Sequence, residues 1–189
     1  MKKIFLTVAF FGLADTAVAQ DWSGAYAGAQ FTNSSFTNTY LIEGEPYGAV
    51  DGVGSMAGVF VGYNHQIGNL VFGGELAYLS GKPEDEEFPG YFYTDMLDLK
   101  ARAGYSFGQV LPYAIVGWSR TEWTNLDATP VAADGFTFGI GAEVLVTDRV
   151  VVGLEYLQRN LVGDYFVEQP NQNIEGDFST VAFRIAYSF

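Results

Sequence analysis

The stretch 177–189 reads D-F-S-T-V-A-F-R-I-A-Y-S-F and alternates with a period of two. Val181, Phe183, Ile185, Tyr187 and Phe189 fall in one phase, and Thr180, Ala182, Arg184, Ala186 and Ser188 in the other. Read as a strand, this segment has one oily, aromatic face and one small or polar face. A tilted strand of about 9–11 residues is what crosses a bilayer as part of a barrel. No run in the chain reaches the ~18 apolar residues that a membrane helix needs, so a spanning structure here must be a sheet closed on itself.

The same alternation recurs along the chain. Strands are predicted at 22–32, 54–66, 70–80, 96–107, 111–120, 135–145, 150–161 and 177–189. The clearest is the fourth, where Leu97, Leu99, Ala101, Ala103, Tyr105 and Phe107 stand against Asp98, Lys100, Arg102, Gly104 and Ser106. The phase of the fifth is not assignable, because both of its faces carry apolar residues. Short turns follow the second, fourth and sixth strands; long polar segments, 33–53, 81–95, 121–134 and 162–175, follow the others and read as loops. An even number of strands with alternating short and long connections predicts an all-β, eight-stranded antiparallel up-and-down transmembrane β-barrel. The 23 glycines, 12 tyrosines and 16 phenylalanines suit strands and turns better than helices.

Residues 1–19 carry Lys2 and Lys3, an apolar run and Ala17-Val18-Ala19, the pattern of a cleaved secretory signal. This predicts a signal peptide over 1–19 and a barrel domain over 20–189, with both mature ends periplasmic. A net charge of −13 argues against nucleic acid, which needs a basic patch. Without cysteine there are no disulfides and no thiolate chemistry.

The polar phase of the predicted strands gathers Glu75, Asp98, Glu143 and Glu155 with Lys100, Arg102, Arg159 and Arg184. An eight-stranded barrel encloses little more than its own side chains, so these charges are expected to pair as a lumenal ion-pair network. The aromatics Trp22, Tyr63, Tyr78, Tyr105, Trp118, Tyr156 and Tyr187 suit interfacial girdles. A soluble barrel of lipocalin type would place the same groups the other way round, charges outside and rings inside.

Asp21-Trp22-Ser23-Gly24, Tyr63-Asn64, Ile67-Gly68-Asn69, Arg102-Ala103-Gly104-Tyr105, Leu111-Pro112-Tyr113, Glu155-Tyr156 and the final Phe189 resemble the small porin-like outer-membrane β-barrel family, of the opacity-protein and OmpA transmembrane-domain type. The resemblance covers nearly all of residues 22–189. It implies residence in the outer membrane among lipid and lipopolysaccharide. It also implies a last strand, with Tyr187 and Phe189, that is read by the barrel-assembly machinery. The resemblance departs from the OmpA pattern at Phe189, and no peptidoglycan-binding domain is expected.

The remaining motifs carry no recognisable catalytic or ligand-binding pattern. His65 is the single histidine, without a serine placed to make a nucleophile–base pair, and is expected to be exposed at an interface. Gly52-Val53-Gly54-Ser55-Met56-Ala57 has the letters of a dinucleotide fingerprint but precedes a strand. Glu84-Asp85-Glu86-Glu87 lacks the spaced ligands of a calcium loop and reads as a solvated segment. No cofactor, metal or catalytic residue is expected. The function expected is a non-enzymatic structural or surface-interaction barrel with acidic loops and an unidentified external ligand; the alternative is a narrow channel gated by the lumenal ion pairs.

Overall fold

The computed structural model describes residues 20–87, 90–124, 130–164 and 172–189; the predicted signal, 1–19, lies outside them. The described strands are β1 Gly24–Ile42, β2 Glu45–Ile67, β3 Leu70–Gly81, β4 Glu84–Asp85, β5 Phe92–Tyr105, β6 Val110–Thr124, β7 Pro130–Leu145, β8 Val150–Asp164 and β9 Gln172–Ser188. Each long strand pairs antiparallel with its neighbours in sequence, and β1 pairs with both β2 and β9. The result is a closed up-and-down ring of eight long strands, with the two-residue β4 bridging β2 and β5 at one rim.

Closure settles which phase faces where. In β9, Phe183 and Ile185 are 60% and 54% exposed, while Arg184 between them is 4% exposed. Arg102 is likewise buried, at 5%. The soluble-barrel arrangement is therefore excluded: rings and branched chains face out, charges face in. The apolar belt covers Leu70 to Tyr78 in β3, Leu97 to Tyr105 in β5, Val110 to Trp118 in β6 and Phe136 to Val144 in β7. About nine residues at ~3.3 Å each, tilted by ~40°, give a band near the ~25 Å expected of a lipid-facing wall. At its edge the outward positions turn polar, with Ser80, Arg120, Asp134 and Ser179.

Segment 33–53 is not a loop. Both strands run on past the belt, paired from Asn33↔Ser55 to Ile42↔Glu45. The hairpin closes through Glu43 (φ 54°) and Gly44 (φ 83°), both left-handed, as a tight two-residue turn requires. Beyond the belt the inward phase is Phe36, Asn38 and Tyr40, and the outward phase Thr37 and Thr39. The oily side has moved inside, because water rather than an apolar layer now surrounds the wall. β6 and β7 likewise extend into the predicted loop 121–134, of which 125–129 lie outside the described residues, as do 165–171 of the predicted loop 162–175.

In β5 a bulge between Thr94 and Met96 slips the register against β6, so that Tyr93 and Met96 both point inward although three positions apart. β6 now has a phase: Leu111, Tyr113, Ile115, Ser119, Thr121 and Trp123 are inside. Six of the seven proposed girdle aromatics stand on the outer surface. The exception is Trp22, which is buried: its Nε1 donates to the Gly108 carbonyl at 3.0 Å and its backbone N–H to Gln66 Oε1 at 2.8 Å. It folds beneath the barrel and covers the lumen at the short-turn end.

Candidate functional site: the lumenal core

Six of the eight charged residues singled out from the sequence meet in one cluster across the lumen. Lys100 Nζ lies 2.7 Å from Glu75 and 2.9 Å from Glu155. Arg102 forks onto Glu143 with bonds of 3.1 and 2.8 Å, and its Nε donates to Asn64 Oδ1 at 3.0 Å. Arg184 pairs with Glu75 and Glu155 and lies 3.7 Å from Glu143. The remaining two, Asp98 and Arg159, form a separate pair at 2.8 Å. Ser119 donates to Asp98 at 2.6 Å and Arg159 donates to Thr180 at 2.8 Å.

The sequence reading missed the neutral residues that complete this cluster. Tyr26 OH donates to Glu75 at 3.0 Å and Tyr113 OH to Glu155 at 2.9 Å. The Arg102 guanidinium lies 4.8 and 4.6 Å from the Tyr26 and Tyr113 ring centres, and that of Arg184 lies 4.0 Å from the Phe60 ring. Tyr113 was hidden by the unassigned phase of its strand. Gly28 makes room for Phe60: a Cβ built there would lie 2.5 Å from the ring and 2.2 Å from the Ile185 carbonyl oxygen. Three carboxylates, three cations and these hydroxyls leave the cluster formally neutral and, apart from the buried Arg184 Nε, hydrogen-bonded, the condition under which buried charges are tolerated. Below it, at the Trp22 end, a cavity of about 20 Å³ lined by Tyr26, Asn64, Arg102 and Glu143 has room for roughly one water.

Towards the long-hairpin end the filling becomes aromatic. Phe36, Tyr93 and Phe178 pack with ring centres 4.9–5.2 Å apart. Tyr93 OH donates to Asn38 Oδ1 at 2.6 Å, and Asn38 Nδ2 donates to Asp85 Oδ1 at 3.0 Å. Tyr40 OH donates to the other Asp85 oxygen at 3.4 Å. The segment read as solvated is thus partly structural: Glu84 and Asp85 form β4 and Asp85 is buried, while Glu84, Glu86 and Glu87 are exposed. Two-residue alternation in so short a strand leaves no signal in the sequence.

Burial raises the Asp85 carboxyl from 3.8 to about 6, with the hydrogen bonds from Tyr40 and Asn38 opposing the shift. Because the folded value is the higher one, the favourable contribution of its proton is present below about pH 4 and lost as the pH rises to 6. Asp85→Asn is expected to remove that dependence and to gain on the order of 1–3 kcal/mol over the parent above pH 7. Urea unfolding of both proteins in micelles at pH 4, 6 and 8 measures the difference; an Asp85→Asn curve parallel to the parent's would disprove it.

Elsewhere, His65 is exposed on β2. Among the described residues no group of three or more His, Cys, Asp or Glu is placed to hold a metal ion. Tyr187 and Phe189 both face outward with ring centres 5.3 Å apart, Arg149 donates to Tyr187 OH at 2.8 Å, and the Phe189 N–H bonds the Ala25 carbonyl.

A family model described as the outer membrane protein beta-barrel domain matches residues 4–189. The chain belongs to that family. Its place in the outer membrane follows, and the apolar belt is the wall that meets lipid. Similar solved structures include outer-membrane barrels, and the first of those that follow shares the fold. OprG from Pseudomonas aeruginosa is 10% identical, with 88% of this chain and 96% of that one covered at a TM-score of 0.52. The N-terminal β-barrel domain of OprF from the same bacterium is 14% identical, covering 85% and 97% at 0.49. The outer membrane protease OmpT from Escherichia coli is 8% identical, covering 93% and 99% at 0.49. At such identities the likeness is one of fold alone. No curated protein matches the chain.

Proposed function

We propose that this outer-membrane barrel is non-enzymatic and non-conducting, a closed structural wall whose acidic long hairpins meet the exterior as an interaction surface. The observation that carries this reading is the cluster of Glu75, Lys100, Arg102, Glu143, Glu155 and Arg184 laid across the lumen, with its side chains buried and its charges satisfied by one another. A conducting path would have to part Arg102 from Glu143 or Arg184 from its carboxylates, each at a cost of several kcal/mol. The aromatic layer of Phe36, Tyr93 and Phe178 would have to move as well. Absence of enzymatic activity is supported by the same pairing, which leaves these lumenal groups neutralised rather than poised beside a nucleophile.

In this reading residues 1–19 are the cleaved signal and the short turns and both mature ends face the periplasm. The polar-faced extensions of β1 and β2 stand in water outside, where Glu43, Glu45 and Asp51 make the rim acidic. Lipid and lipopolysaccharide contact the belt. The barrel-assembly machinery engages the last strand through Tyr187 and Phe189, the outward aromatic pair at the end of the seam with β1.

Planar-bilayer recording of the refolded protein tests the sealed lumen. Silence over many verified insertions is the expected result. Reproducible conductance steps that change in Glu143→Ala would replace this reading with that of a narrow channel gated by its ion pairs.

A further inference from the structure

Residues 21–23 precede the first β1–β2 pair, Gly24↔Asn64, and so lie outside the strand ladder. They are nevertheless tied to two turns of the barrel. At the β2–β3 turn, the Trp22 backbone N–H donates to Gln66 Oε1 at 2.8 Å and the Gln66 N–H donates to Ser23 Oγ at 3.0 Å. The Trp22 indole reaches the other way, to the Gly108 carbonyl of the β5–β6 turn, which lies across the ring from β1. Gly24, with φ 131°, supplies the bend by which the chain leaves β1 and crosses the mouth, a conformation that a side chain would strain. Asp21 and Trp22 line one side of the small cavity described above, and Asn64, Arg102 and Glu143 line another. These four N-terminal residues therefore stand between the lumenal charges and water at the short-turn end. Parting Arg102 from Glu143 would leave buried charges alone, whereas lifting Trp22 returns an indole and a few neutral hydrogen-bonding groups to water. Of the two barriers, the one outside the ladder opens first.

We propose that residues 21–24 are a strap that opens and closes the short-turn mouth of the lumen. Undocked, it admits water and small solutes as far as the Arg102–Glu143 pair, while the ion-pair cluster beyond stays shut. The inference rests on the sealed lumen proposed above and assigns access to one end of it.

The chain contains no cysteine, so an introduced one is a single thiol probe. Ala186→Cys places it in the cavity below the cluster, and Thr180→Cys places it beside Arg159, beyond the cluster. The rate at which a small methanethiosulfonate modifies each is measured on the refolded protein in micelles. Ala186→Cys is expected to react at least ~10-fold faster when Trp22→Ala is added, and ~3–5-fold faster with the milder Gln66→Ala. Thr180→Cys is expected to stay unreactive in all three backgrounds, and each protein to keep the faster electrophoretic migration of the unboiled barrel. Should Trp22→Ala lose that migration, the Gln66→Ala comparison decides alone. Equal Ala186→Cys rates with and without the strap contacts, with Thr180→Cys silent, would overturn the strap and leave the sealed lumen standing. Reaction of Thr180→Cys in the otherwise unchanged protein would overturn both. Its reaction only alongside Trp22→Ala would mean that the whole barrel has loosened, and would overturn the strap as a local device.

Discussion

Arg184→Ala is expected to cost about 3–5 kcal/mol of unfolding free energy, because it strands carboxylates that have left water. Arg184 is the shared partner of Glu75 and Glu155, lies close to Glu143, and rests on the ring of Phe60. Without it, three acids would face only Lys100 and Arg102, and protonation or water entry would have to make up the deficit. Urea titration in micelles, read by the shift between the compact and boiled electrophoretic forms, gives the number. The pairing argument makes a second demand. Replacing Arg102 and Glu143 together, as Arg102→Met with Glu143→Leu, should cost well below the sum of the two single changes, since no charge is then left alone. If Arg184→Ala costs less than about 1 kcal/mol, the cluster is not the buried, mutually paired network described above.

Ile140→Arg is the second large expected effect, at about 2–4 kcal/mol. Ile140 stands in the middle of the belt on β7 and is 65% exposed, with Phe138 and Ala142 on the same face. On a water-soluble barrel a charge at so open a position would change stability by less than ~0.5 kcal/mol. The same substitution placed beyond the belt, at Thr37, should be close to neutral. The contrast between the two sites, measured in lipid vesicles, reads the depth of the lipid-facing wall directly. Equal effects at both would refute the position assigned to the belt.

Within the belt almost everything was legible. Lipid outside and a crowded polar lumen inside impose opposite demands on adjacent residues, so alternation such as Leu97, Asp98, Leu99, Lys100 marks a strand and identifies its two faces at once. The inward charges could be gathered from phase alone. Their partners could not: Lys100 meets Glu155 from three strands away around the ring, and only closure and stagger bring the two together. Tyr26 and Tyr113 fell outside the sequence reading because tyrosine suits either face, and its hydroxyl finds a partner only when the carboxylate has been placed.

Beyond the belt the reading turned strands into loops, for one physical reason. Where water replaces lipid the preference inverts, so Phe36 and Tyr40 go inside and Thr37 and Thr39 outside. Near the inversion, at Thr32 to Ser35, both phases are polar and the period vanishes from the sequence while the hydrogen-bonded ladder continues. The bulge at Asp95 and the two-residue β4 erased it again on the facing side.

What the order of residues determined unaided was the class of fold, the number of long strands and the direction in which the charges of the membrane wall point, since each follows from solvent contrast across single strands. What required the tertiary structure was the division of those charges into one cluster and one pair, the burial of Trp22 and Asp85, and the extension of the hairpins. These depend on which strands become neighbours across the lumen and on where the surrounding medium changes, and neither is a property of any one strand.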